Sequence, residues 1–170
     1  MKKLKYIYCL MILALLFTGC TDDFLFPGKV KTSNGITIVS DFRTGTLDRV
    51  LFGRASLVKN LAINDTINAR DFKFMRDEMQ NLELIDLRNV VVDSYIGFEG
   101  TAGISEYYYQ ANTIPQYAFY NPEKAKGKTT LKKIIFPNTI KSIGNYAFTN
   151  CGLSETIDFP ETLRDTIGRS

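Results

Sequence analysis

The chain has 170 residues with 21 basic and 18 acidic side chains, a formal net charge of +3 and no histidine. With no clustered run of Lys and Arg, it lacks the electrostatic footprint of a nucleic-acid binder. It also has no Gly-rich phosphate loop and no His/Cys/Asp/Glu grouping at metal-ligand spacing, so the reading is of a protein that is not an enzyme, with no catalytic residue, no metal and no cofactor.

From the N-terminus, Lys2, Lys3 and Lys5 give a basic end, the run from Tyr6 to Phe17 is uncharged and apolar, and Thr18-Gly19-Cys20 follows with small residues. Residues 1–19 therefore read as a secretory signal. Twelve apolar residues extend about 18 Å as a helix, short of a hydrocarbon core of ~30 Å, which disfavours a permanent membrane span. Leu16-Phe17-Thr18-Gly19-Cys20 resembles a bacterial lipobox, with Phe17 where leucine is commoner. The resemblance implies that Cys20 is lipidated and begins the mature chain. Thr21-Asp22-Asp23 resembles the acidic signal that sends some Gram-negative lipoproteins to the outer face of the outer membrane, and implies a lipid-anchored protein facing the cell exterior.

Loss of residues 1–19 removes three lysines and no acid, leaving 18 side chains of each sign and no net charge. Cys9 goes with the signal and Cys20 is taken by lipid, so Cys151 remains alone and no intramolecular disulfide forms. Cys151 reads as a buried small hydrophobe.

Residues 20–35 read as a tether, with Pro27, Gly28, Asn34 and Gly35 as breakers. An N-terminal cap is expected over 36–57, with a strand at 36–39 covering the first edge and a short helix through Leu47, Val50 and Leu51 capped by Thr46 or Thr44. After a first repeat strand at 61–63, Asn68 is placed to cap a helix reaching about Gln80, with Asp71 completing a capping box. Phe72, Met75 and Met79 share its apolar face, and Arg70, Lys73, Arg76, Asp77 and Glu78 are expected in solvent.

From residue 58 onward the chain copies a template, apolar-x-x-apolar-x-apolar. Val58, Leu61 and Ile63 fit it, as do Leu82, Ile85 and Leu87, then Ile104, Tyr107 and Tyr109, then Leu131, Ile134 and Phe136. Leu153, Ile157 and Phe159 fit with one extra residue, and the first positions lie 24, 22, 27 and 22 residues apart. Such a period marks a solenoid whose units bury together what none can bury alone. Parallel strands are expected at 61–63, 85–87, 107–109, 134–136 and 157–159, with a loop as the alternative for the tyrosines of 107–109. A solvated insertion is expected at 121–130.

IPQYAFYN at 114–121 and IGNYAFTNCGL at 143–153, each tied to an apolar-x-apolar-Pro strand, resemble the BspA-like leucine-rich repeats of bacterial surface proteins, over roughly residues 45–170. The resemblance implies an α/β fold: a short, irregular leucine-rich-repeat solenoid with one parallel strand per repeat. Ala118-Phe119 and Ala147-Phe148 would supply a small residue for close approach and a ring for the core. The repeats would occupy 58–170 and stop in mid-unit, since Thr166-Ile167-Gly168 corresponds to Ser142-Ile143-Gly144. Attachment to host proteins or to other bacterial cells is the implied function.

If Tyr107 and Tyr109 face inward, Tyr108 faces out, with Tyr117 and Tyr120 in the following turn. These three are the candidate ligand contacts, because a tyrosine couples a flat apolar face to a hydrogen-bonding tip. They suit a protein partner or, as the alternative, a surface glycan.

Overall fold

The computed structural model describes residues 28–103 and 105–163. The signal segment, Cys20, most of the tether and Thr166-Ile167-Gly168 lie outside the described residues.

The chain enters as a hairpin. Strands β1 (Lys29–Ser33) and β2 (Ile36–Ser40) pair antiparallel around Asn34-Gly35. Both turn residues have positive φ, 50° and 75°, as the mirror-image turns that match strand twist require. The tether thus ends before residue 29, and the tether reading is corrected there. Asn34 and Gly35 reverse a strand instead of loosening a linker. The outward lysines of β1 are what an edge strand carries against unwanted pairing, while Val30 packs on the core.

From β2 a parallel ladder grows. β2 pairs with β3 (Asn60–Asn64), β3 with β5 (Leu84–Asp86), and β5 with β12 (Lys133–Ile135). Leu61 registers with Ile85, and Ile85 registers with Ile134, so the last step spans 49 residues, about two template intervals. The strand expected in this ladder at 107–109 is absent from it. Strand β8 (Tyr107–Tyr109) pairs antiparallel with β7 (Tyr95–Gly97) in a separate two-stranded sheet. The expected strand at 157–159 is also not formed. There the ladder advances by two bonds only, the Ser154 and Glu155 N–H groups donating to the Lys132 carbonyl at 3.2 and 3.4 Å. Phe159 still stacks on Phe136, with centroids 5.8 Å apart.

A second track of short parallel pairs runs beside the first. It consists of β4 (Thr66–Ile67) with β6 (Val91–Val92), and β9 (Thr113–Ile114) with β13 (Ser142–Ile143). Asn112 N–H donates to the Val92 carbonyl and Lys141 N–H to the Asn112 carbonyl, both at 2.8 Å, which joins the pairs into one stack. The second track therefore has a level, at 112–114, for which the first track has no strand. Strand-rich, with few helices and parallel strands, this arrangement is compatible with a leucine-rich-repeat fold.

The core lies between the tracks and helix α2 (Ala69–Asp77). Leu61, Ile63, Phe72, Met75, Met79, Leu82, Ile85, Leu87, Phe119 and Ile134 are buried in one cluster. The capping box forms as its residues dictate, Asn68 accepting from Arg70 N–H while Asp71 accepts from Asn68 N–H. The helix stops at residue 77, a turn earlier than the apolar stripe suggests. Helix α1 (Leu47–Val50) is not capped by a threonine side chain, since Thr46 Oγ1 donates to the Arg43 carbonyl. Asp71 serves it instead, accepting from Gly45 and Leu47 N–H at 2.8 and 3.0 Å. Residues 120–127 are not a loose insertion: β10 (Tyr120–Asn121) and β11 (Lys126–Gly127) form a small hairpin.

Candidate functional site

Between β6 and β9 the chain leaves the stack at residue 93 and returns at 112. This excursion carries the β7–β8 hairpin. Tyr95 and Tyr109 are cross-strand partners, as are Ile96 and Tyr108, so the first pair shares one face and the second pair the other. The Tyr109 face turns in. Its ring centroid lies 6.0 Å from Tyr95, its hydroxyl accepts from Ala102 N–H at 2.7 Å, and it lies over Gly100, where any Cβ would fall 2.4 Å from the ring. Burial pushes the Tyr109 phenol up, against the bond from Ala102. The opposite face turns out. Ile96 is 66% exposed and Tyr108 59%, and Phe98, just past the strand, is 60% exposed.

The hairpin's base is held by Arg76 of α2. Arg76 was expected in solvent, but it is buried, and this is a correction. Positions 72, 75, 76 and 79 share one helical face, so a residue at 76 points where Phe72, Met75 and Met79 point. The guanidinium donates to the carbonyls of Thr101, Tyr117 and Tyr120 at 2.9, 3.0 and 3.2 Å. It also forms a two-pronged pair with Asp77 at 2.8 and 2.9 Å. Burial works to raise the Asp77 carboxyl, but the bonds from Arg76 and Asn121 outweigh it and hold the group below the usual carboxylate range. Lys128 lies close by, also buried, its ammonium donating to the Arg76 and Met79 carbonyls near the helix C-terminus at 3.2 and 2.7 Å. There a cation suits the carbonyl dipoles. Burial lowers its pKa to about 8.

Of the three candidate contacts, Tyr108 stands apart from the other two. Tyr117 and Tyr120 are half-buried neighbours with centroids 6.2 Å apart, and Tyr117 stacks on Tyr146 at 5.5 Å and 7°. Tyr117 and Tyr146 occupy the same place in the two Ala-Phe turns, and both have φ of 58°, a conformation that costs a bulky residue about 1–3 kcal/mol. The strain recurs because the turns stack as units: Tyr117 and Phe119 N–H groups donate to the Asn145 and Ala147 carbonyls. Phe119 is fully buried and stacks on half-buried Phe148 at 5.5 Å. Tyr107, expected inward, is 42% exposed.

The exposed side of β8 borders a groove of about 460 Å³, floored by the second track at Thr113, Gln116, Ser142 and Asn145. The floor is close-packed, because a Cβ on Gly144 would lie 2.3 Å from the Gln116 nitrogen. Cys151 is half-buried with its thiol pushed up by burial and directed at the Phe119 carbonyl, 3.5 Å away, which fits a packing role. Among the described residues no helix is long and apolar enough to cross a membrane.

Short parallel strands lie in two tracks, the two Ala-Phe turns stack on each other, and the β7–β8 hairpin interrupts them, an arrangement compatible with a leucine-rich-repeat fold. Residues 112–170 match the model of the BspA type leucine rich repeat region (6 copies), which supports a BspA-like leucine-rich-repeat family for this part of the chain. No curated protein matches the chain.

Proposed function

We propose that the chain is a binding and adhesion module, displayed on the cell surface by a lipid on Cys20 at the outer membrane, that takes up protein ligands of a host or of other bacterial cells. In this reading the ladder is a short leucine-rich-repeat solenoid and the module is not catalytic. Leucine-rich repeats generally mediate protein interactions, and insertions within a repeat array commonly carry the binding face. The observation that carries the proposal is the outward face of the β7–β8 hairpin, where Ile96, Phe98 and Tyr108 are all more than half exposed. A cross-strand apolar pair raised on a hairpin is costly to leave in water and is the kind of surface that a protein partner covers.

The test is capture on immobilised extracellular-matrix proteins and on whole bacterial cells, comparing the wild type with the Ile96→Ser/Phe98→Ser double variant. Capture should fall about tenfold or more for losses of hot-spot size. Equal capture by the double variant, or no capture by the wild type, would remove the protein-binding reading. The anchor is tested separately by metabolic labelling with a palmitate analogue, which should tag the wild type and not Cys20→Ala.

A further inference from the structure

We infer that the groove between β8 and the second track is a binding site for a neutral saccharide chain. It is distinct from the apolar face proposed for protein partners, although Tyr108 borders both. None of the residues lining the groove is charged. This is unusual for an open surface in a chain that is 23% charged, and it argues against ionic ligands. What lines the groove instead is two partly exposed tyrosines, Tyr107, whose ring packs edge-on against Tyr109, and Tyr108, together with side-chain amides and hydroxyls.

That combination matches the two chemical faces of a sugar. The C–H face of a pyranose lies against an aromatic ring, and its hydroxyls, each donor and acceptor, pair with groups that are also both. Gln110, Gln116 and Asn145 each bring a side-chain amide, and among the described residues no hydrogen bond engages any of these three side-chain amides. Thr113 and Ser142 bond each other at 2.8 Å across adjacent levels, which leaves acceptor capacity along the floor. The floor is backbone-rigid, since Gly144 N–H donates to the Ile114 carbonyl at 2.8 Å and the Lys141 N–H bond to Asn112 lies at the other end. The groove's size falls in the range of small-ligand sites, roughly 300–1,000 Å³. It is open on one side, as a chain ligand needs.

The experiment is affinity gel electrophoresis of the mature chain through gels containing a neutral β-glucan, a mannan or amylopectin, with polygalacturonate and heparin as anionic counterparts. At least one neutral polymer should retard the wild type, and the effect should persist at about 0.5 M salt, where the screening length is far below 10 Å. Tyr107→Ala/Tyr108→Ala should weaken retardation about tenfold, the scale of losing two aromatic contacts. Asn145→Ala and Gln110→Ala should weaken it less, and as exposed side chains they decide the matter if the double variant is misfolded. Ile96→Ser/Phe98→Ser should leave it unchanged, so failure of the saccharide site and failure of the protein site read out separately. No retardation by any neutral polymer, retardation only by anionic polymers at low salt, or full retardation of Asn145→Ala and Gln110→Ala together with the tyrosine variant would overturn the inference.

Discussion

The ladder at 60–64, 84–86 and 133–135 and the excursion at 94–111 carry the same spacing of apolar residues, yet only the first is a stack. In the ladder each strand has a parallel neighbour, and its alternate residues, Leu61, Ile85 and Ile134, are at most 2% exposed. In the excursion the tyrosine copy at 107–109 finds a partner only twelve residues back and forms a hairpin with no third strand. A two-stranded hairpin is marginal by itself. This one persists because Tyr109 is seated on Gly100 and Arg76 grips the Thr101 carbonyl. Apolar spacing thus specifies which side chains can share a face, while the partner is decided by contacts elsewhere in the chain.

The largest expected effect lies in the stack. Phe119 is fully buried, edge-on to Phe72 and stacked on Phe148, so Phe119→Ala should cost about 3–5 kcal/mol in chemical denaturation. Phe148→Ala, at a half-buried ring, should cost about half as much. Reversal of that order would mean the two Ala-Phe turns are not packed as described.

Next in size is the link between the two regions. Arg76→Met leaves Asp77 without its cation and three carbonyls without a donor, and should cost about 2–4 kcal/mol, somewhat below a fully buried pair because Asp77 is 17% exposed. Cost without loss of hairpin order, read from the Tyr108 and Ile96 amide signals, would show that the excursion does not depend on this clamp.

The remaining effect is a pH dependence. Lys128 has a folded pKa lowered to about 8 from 10.5. Between those values the unfolded chain binds more protons than the folded one, so stability should rise with pH across that window. Denaturant midpoints at intervals from pH 7.5 to 10.5, compared with Lys128→Met, check this; an identical slope in the variant assigns the effect to another group.

Much of the frame was legible in the sequence. The template located three ladder strands, Asn68 and Asp71 announced the helix start, and the strand at 36–39 beside the first repeat followed from its apolar residues, although β1 and not β2 forms the sheet edge. β1 was hidden by its lysines, although Asn34-Gly35 is a hairpin signal in plain view. Arg76 and Lys128 were missed because charge was read as solvent exposure. Arg76 falls on the apolar stripe, a register that flags a buried anchor, but nothing local to Lys128 indicates that its ammonium reaches the Met79 and Arg76 carbonyls, 49 and 52 residues away. Of the candidate contacts, Tyr108 was placed outward as its alternation implied, whereas separating it from Tyr117 and Tyr120 required knowing that the strand leaves the ladder.

Native-state hydrogen exchange tests most directly the claim that the frame and the excursion are energetically separate. Amides of 61–64, 84–86 and 133–135 should exchange only through global opening, whereas those of 95–97 and 107–109 should exchange through a local opening of much lower free energy that denaturant barely affects. Equal protection in the two regions, falling together with denaturant, would mean that the hairpin is part of one cooperative core and would contradict the account.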